Sequence, residues 1–290
     1  MLREYRARAD KRDHPRPDAH APVMMKTKEY VLRKTIALLM GSCAVLLLHA
    51  GRAFAQDVPV VAAASDLRFA VEEIAERFKG DTGRQVRLSL GSSGNFRQQI
   101  AAGAPFQLFM SADEEYIFAL QREGRALDAG SLYAVGRIVL FAPHGSAVRP
   151  DAELKDLKRA LSAGQVHRFA IANPDHAPYG RAAREALRKL GLWDSLRDKL
   201  VLGENVSQAA QFASSPSAQG GIFAYSLALS PNVSRLGTYL LLPDSLHAPL
   251  RQRMALLTGA GGTAHEFYSY LKSPRAREVL RKHGFALPGE

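Results

Sequence analysis

Ala62-Ala63-Ala64-Ser65-Asp66 and Gly91-Ser92-Ser93-Gly94-Asn95 are the two stretches whose reading decides the fold. Each follows an apolar, strand-like run, at 58–62 and at 86–90. Each leads into a helical pattern, marked by Phe69, Ile74 and Phe78 in the first case and by Phe96 and Ile100 in the second. Strand, small-residue turn and helix in that order is the unit of a parallel sheet covered by helices. The same unit puts hydroxyls and backbone N–H groups at helix starts. There the first N–H groups lack intrahelical acceptors and the helix dipole is positive. Two such starts facing one cleft hold a small oxyanion with no Lys or Arg beside it.

The alternation continues along the chain. Residues 108–110 read as a strand and 113–124 as the helix after it. Residues 137–142 form another apolar strand, ended by Pro143-His144-Gly145. A second set follows, with strands at 169–172, 200–202 and 221–225 and helices at 180–190 and 207–213. Strands at 239–242 and 254–257 and helices at 264–271 and 274–283 close the chain. The Pro and Gly breaks near Pro143 and near His247-Ala248-Pro249 suit a chain crossing between two lobes. The expected division is 56–138 plus 251–290 in lobe 1 and 139–250 in lobe 2, each a mostly parallel sheet flanked by helices.

The N-terminus reads as a targeting segment. Lys26, Lys28, Arg33 and Lys34 make a basic region, 35–50 is apolar, and Ala53-Phe54-Ala55 fits signal cleavage before Gln56. The apolar run is shorter than a membrane span needs. The stretch before Met24 and Met25 has no apolar periodicity and reads as an upstream extension. Residues 1–55 carry 11 of the 39 Lys and Arg and 5 of the 28 Asp and Glu, so the formal +11 falls to +5 in the mature chain. That charge steers small anions but is far from a nucleic-acid signature. Cys43, the one cysteine, lies inside the leader, so the mature chain has no thiol, disulfide or thiolate metal site.

Four strand-to-helix loops carry candidate ligand groups. Ser65 and Ser93 offer hydroxyls and backbone donors. Asp66 looks like a helix cap, and its backbone N–H is the useful group because its carboxylate repels an anion. Tyr179, in Asn173-Pro174-Asp175-His176-Ala177-Pro178-Tyr179-Gly180, offers a phenol or a backbone N–H. In Gly203-Glu204-Asn205-Val206-Ser207 the Val206 N–H is the candidate. Catalytic patterns are thin. Neither Ser65 nor Ser93 sits in a Gly-x-Ser-x-Gly elbow, and the histidines lack metal-ligand spacing. A phosphate-binding Gly-x-x-x-x-Gly-Lys loop is missing.

Taken together, these loops, the run Ala102-Gly103-Ala104-Pro105-Phe106-Gln107-Leu108-Phe109-Met110-Ser111-Ala112-Asp113 and the segment Leu190-Gly191-Leu192-Trp193-Asp194 resemble the periplasmic molybdate-binding proteins of ABC importers. The resemblance runs from about Val58 to Phe285. It implies a two-lobed α/β periplasmic binding protein of type II with its ligand in the cleft. It implies molybdate or tungstate as ligand, no cofactor, no catalysis, an ABC permease as membrane partner, and a monomer in the periplasm. By position, Ser65 and Ser93 donate from the first lobe and Tyr179 and Val206 from the second. Where many relatives carry a tyrosine, Gly221-Ile222-Phe223-Ala224-Tyr225 has Ala224, with Tyr225 one step later. A one-residue shift in a strand reverses the side chain, so the phenolic contact passes to Tyr179. The alternatives left open are a receptor for sulfate, phosphate or another small oxyanion, and a secreted serine hydrolase using Ser65 or Ser93.

Overall fold

The computed structural model describes residues 58–289. The expected leader, Cys43 and the cut at Ala55/Gln56 lie outside the described residues.

Ten strands build two sheets. They are β1 (Val60–Ala64), β2 (Arg87–Gly91), β3 (Leu108–Ser111), β4 (Ser131–Gly136), β5 (Ile138–Pro143), β6 (Phe169–Ala172), β7 (Leu200–Gly203), β8 (Gly220–Ala224), β9 (Gly237–Leu241) and β10 (Leu250–Leu256). The first sheet runs β2-β1-β3-β10-β4 and the second β7-β6-β8-β5-β9. Both are mixed, with four strands running one way, as expected of mostly parallel sheets, and one strand reversed. β1 is parallel to β2 and β3, and β6 to β7 and β8. β10 is antiparallel to β3 and β4, and β5 to β8 and β9. The antiparallel strands adjoin the two crossings between the sheets, at Arg137 and at 242–249, and a chain that returns without a helical crossover pairs antiparallel.

The central strands β1, β3, β6 and β8 are buried on both faces, which is why they are short apolar runs without alternation, whereas the edge strands β2 and β7 are partly exposed. β1 reads Val-Val-Ala-Ala-Ala, and its alanines let helices approach closely. On one face of the first sheet, the helix Arg68–Thr82 buries Ile74 and Phe78 beside Phe267. On the other face, the helix Ser93–Ala101 buries Phe96 and Ile100 against Phe109. The second sheet is filled by Phe141, Phe169 and Phe223. Each fully buried aromatic or aliphatic side chain contributes about 1.5–3 kcal/mol.

β4 and the helix Lys155–Ser162 are elements that the sequence reading leaves out, although Leu154, Leu157 and Leu161 stand at helical spacing. At 131–136 only half of the strand is buried. At the crossing, the Arg137 guanidinium donates to the Gly284 carbonyl at 2.8 and 3.2 Å and stacks 4.8 Å from the Tyr225 ring centre. The C-terminal segment therefore pins one of the two connections.

Candidate functional site

The starts of four helical segments meet between the sheets. They follow β1 and β2, which are parallel in the first sheet, and β6 and β7, which are parallel in the second. Together they line a small, tight pocket, walled by Ser65, Asp66, Ser92, Ser93, Tyr179 and Val206 with Gly91, Ala64, Ala112, Ala177 and Pro178. Four of the predicted groups, Ser65, Ser93, Tyr179 and Val206, are thus brought together. The lining has no Lys, Arg or His. Among the described residues, no group of His, Cys, Asp and Glu is placed to hold a metal ion.

Ser65 opens a short 3-10 turn at Ser65–Leu67 and is buried. Its hydroxyl donates to Asn205 Oδ1 at 3.1 Å and accepts from the Ser207 N–H at 3.3 Å. Ser207 Oγ in turn donates to the Ser65 carbonyl at 2.8 Å. Ser93 begins its helix after Ser92, which has extended backbone. The Ser93 oxygen accepts from the Ala112 N–H at 2.9 Å, which leaves the hydroxyl proton free to donate. Val206 is the first residue of the helix Val206–Ala213, capped by the Asn205 side chain on Gln208 N at 3.1 Å. Its own N–H has no intrahelical acceptor.

Tyr179 is the second residue of the helix Pro178–Lys189 and is almost wholly buried. Its hydroxyl does not serve as a free donor. It donates to Asp66 Oδ2 at 2.9 Å. What remains for a ligand is the backbone N–H at the helix start. Asp66 does not cap a helix, because neither turn at this point shows a side-chain cap bond. Its Oδ2 instead accepts from Tyr179 and, at 2.6 Å, from Gln252 Nε2. Burial pushes the Asp66 carboxyl up to about 6, against the opposing pull of the Gln252 and Tyr179 bonds. Burial first, and the Asp66 charge second, hold both Tyr133 and Tyr179 well above the usual phenol range.

Tyr225 lies outside the pocket lining. It starts a helical turn, Tyr225–Ala228, rather than ending a strand. Its ring packs on Tyr239 and under Arg137 at the lobe crossing. The strand-register argument does not apply to it, because β8 ends at Ala224.

Sequence reading missed several groups here. Asn205 joins Ser65 to the opposite helix, and Gln252 on β10 reaches Asp66 from 186 residues away. The His176 carbonyl accepts from Ser92 Oγ at 2.6 Å and from Gly94 N at 3.0 Å. An Asn before a helix start is a readable cap signal; nothing local marks Gln252.

Beside the pocket lies a larger groove of about 800 Å³ lined by Asp113, Glu114, Arg181, Glu185 and Arg251. Its two arginines are paired, Arg181 with Asp113 and Arg251 with Glu114. The small pocket, with uncommitted donors from both sheets, is the better anion site.

Residues 59–286 match the family model described as bacterial extracellular solute-binding protein. The chain is 37% identical over 229 residues to the molybdate-binding protein ModA of Rhodobacter capsulatus, covering 78% of this chain and 87% of that protein. It is 34% identical over 261 residues to the protein of the same name in Escherichia coli K12, covering 88% and 99%. The solved periplasmic molybdate-binding protein of Azotobacter vinelandii superposes with a TM-score of 0.71 at 31% identity, over 80% of this chain and all of that one.

Proposed function

This chain belongs to the bacterial extracellular solute-binding proteins, and we propose that within that family it captures molybdate in the periplasm and delivers it to an ABC permease. Tungstate, a tetrahedral dianion of nearly the same size, is the expected second ligand. The molybdate-binding relatives that the chain covers at 87% and 99% of their length support this reading. The observation that carries it is the pocket of helix starts from both lobes, with no cationic side chain in its wall.

The mechanism is binding, not turnover. Ser93 donates through its hydroxyl and backbone N–H from the first lobe, and Ser65 through its backbone N–H, its hydroxyl proton being given to Asn205 Oδ1. Asp66 adds its backbone N–H there. Tyr179 and Val206 donate backbone N–H groups from the second. A buried dianion is tolerable when every oxygen is hydrogen-bonded, and bonds to a charged acceptor are the strong ones. Sulfate has the same charge and shape, so selection against it rests on cavity size. Hydrogen phosphate also needs an acceptor for its proton. Asp66 Oδ2 is committed to Tyr179 and Gln252, but its Oδ1 has no hydrogen-bond partner and is such an acceptor, so selection against phosphate likewise rests on cavity size.

Hydrolysis is a poorer reading. The bonded partners of the Ser65 and Ser93 side chains are Asn205, Ser207 and Ala112, none of them a base. Ser92 does lie 3.0 Å from His176 Nδ1. Its only proton goes to the His176 carbonyl, so the imidazole donates to that oxygen rather than deprotonating it.

The proposed moving bodies are residues 56–138 with 251–290 and residues 139–250. The proposed mature form is an exported monomer cut before Gln56. Calorimetric titration of the mature protein with molybdate, tungstate, sulfate and phosphate tests the reading. Saturable heat with molybdate and tungstate and none with the others at the same concentration is expected. Tight sulfate binding with no molybdate heat overturns it.

A further inference from the structure

We propose that the Tyr179 hydroxyl, the Asp66 carboxylate and the Gln252 amide form a clasp behind the anion pocket that fastens the two lobes together through protein atoms alone. Tyr179 and Asp66 then control affinity through closure, and their side chains are positioning groups rather than ligand contacts. This rests on the reading of the chain as a two-lobed receptor that closes on its ligand.

The geometry is complete in donors. Asp66 stands after β1 of the first sheet and Tyr179 after β6 of the second. Tyr179 has one hydroxyl proton, and it goes to Asp66 Oδ2 at 2.9 Å. Gln252 Nε2 has two, one for Asp66 Oδ2 at 2.6 Å and one for the Tyr179 oxygen at 3.0 Å. Gln252 Oε1 is held by the Tyr133 hydroxyl at 2.8 Å, which orients the amide. Gln252 is fully buried and Asp66 nearly so. A fully donor-matched network in a buried setting favours one geometry strongly over its alternatives.

The hinge makes room for this arrangement. Gly136 ends β4 at the crossing into the second sheet, and β10 pairs Leu250 with it. A Cβ at Gly136 would lie 2.2 Å from the Tyr179 hydroxyl and 2.8 Å from Gln252 Nε2. The phenol therefore reaches across to the hinge only because that position has no side chain. Asp66 Oδ1, by contrast, is buried with no hydrogen-bond partner, so this carboxylate is held at Oδ2 by donors from beyond its own turn.

The test reads closure directly. The mature chain has no cysteine, so Lys79→Cys on the first lobe and Asp198→Cys on the second accept a spin-label pair without background. Double electron–electron resonance on the anion-free protein should show a populated short distance. Tyr179→Phe keeps the ring and the backbone N–H and should shift the closed-to-open ratio at least tenfold toward open, which is about 1.4 kcal/mol. Stopped-flow release of molybdate should speed up about tenfold, with association changed less than threefold. Gly136→Ala should reproduce the shift with every residue of the pocket wall still in its wild-type identity. An unchanged anion-free distance distribution in Tyr179→Phe, or in a folded Gly136→Ala protein, overturns the clasp. Because that readout needs no ligand, it stands or falls separately from the identity of the anion.

Discussion

The backbone N–H of Gly94, in the first lobe, donates a 3.0 Å hydrogen bond to the carbonyl oxygen of His176, in the second. A Cβ on Gly94 would sit 2.4 Å from that oxygen. The close approach exists because the position is glycine. Gly94→Ala should therefore hold the lobes apart on the pocket side while leaving each sheet intact. We expect molybdate affinity to fall at least tenfold with the circular dichroism spectrum unchanged. Affinity equal to the wild type would show that the lobes meet differently.

Ser93→Ala removes a free hydroxyl donor at the pocket, and Ser65→Ala removes the hydroxyl that ties Asn205 and the Ser207 N–H to the first lobe. A hydrogen bond to a charged acceptor contributes about 1.5–3 kcal/mol. The dissociation constant for molybdate should rise about 10- to 100-fold in each variant, read by calorimetry. A variant that binds normally removes that serine from the site.

Asp66 gives the protein a pH signature. Its carboxyl is pushed up by burial to about 6 from an ordinary 3.8. A raised value means that its stabilising share is fully present below about 4 and is lost as pH rises through about 6. The titratable side chains facing it are the Tyr133 and Tyr179 phenols, both held well above their usual range and neutral throughout. Relative to Asp66→Asn, the wild type should lose on the order of 2–3 kcal/mol of unfolding stability between pH 4 and pH 7. A pH-independent difference, measured by denaturant titration, contradicts a buried carboxylate here.

Tyr225 stacks under Arg137 and on Tyr239 at the crossing. Tyr225→Phe keeps both contacts. Its molybdate affinity should match the wild type within about twofold. A loss comparable to that in Ser93→Ala would bring the tyrosine into the pocket.

How much of this was legible follows from what is local. Ser65, Ser93 and Val206 announce themselves because each stands where an apolar strand gives way to a helix, and the helix start supplies the chemistry whatever the tertiary context. Tyr179 was legible as a position but not as a role. Its hydroxyl goes to Asp66, 113 residues away, and no local pattern encodes that partner. Asp66 looked like a cap because Asp before a helix commonly is one; burial beside Gln252 redirected it. The mostly parallel sheets are legible, but the one reversed strand in each is not, for a related reason. The orientation of β5 and β10 depends on how the chain crosses between lobes, which a strand's own residues do not record.

The most direct test of the central claim is anomalous diffraction at the molybdenum absorption edge from crystals of the mature protein grown with molybdate. The account predicts one strong peak in the pocket between Ser65, Ser93 and the start of the helix Val206–Ala213. A peak in the charged groove beside Arg181 and Arg251, or no peak at saturating molybdate, would contradict it.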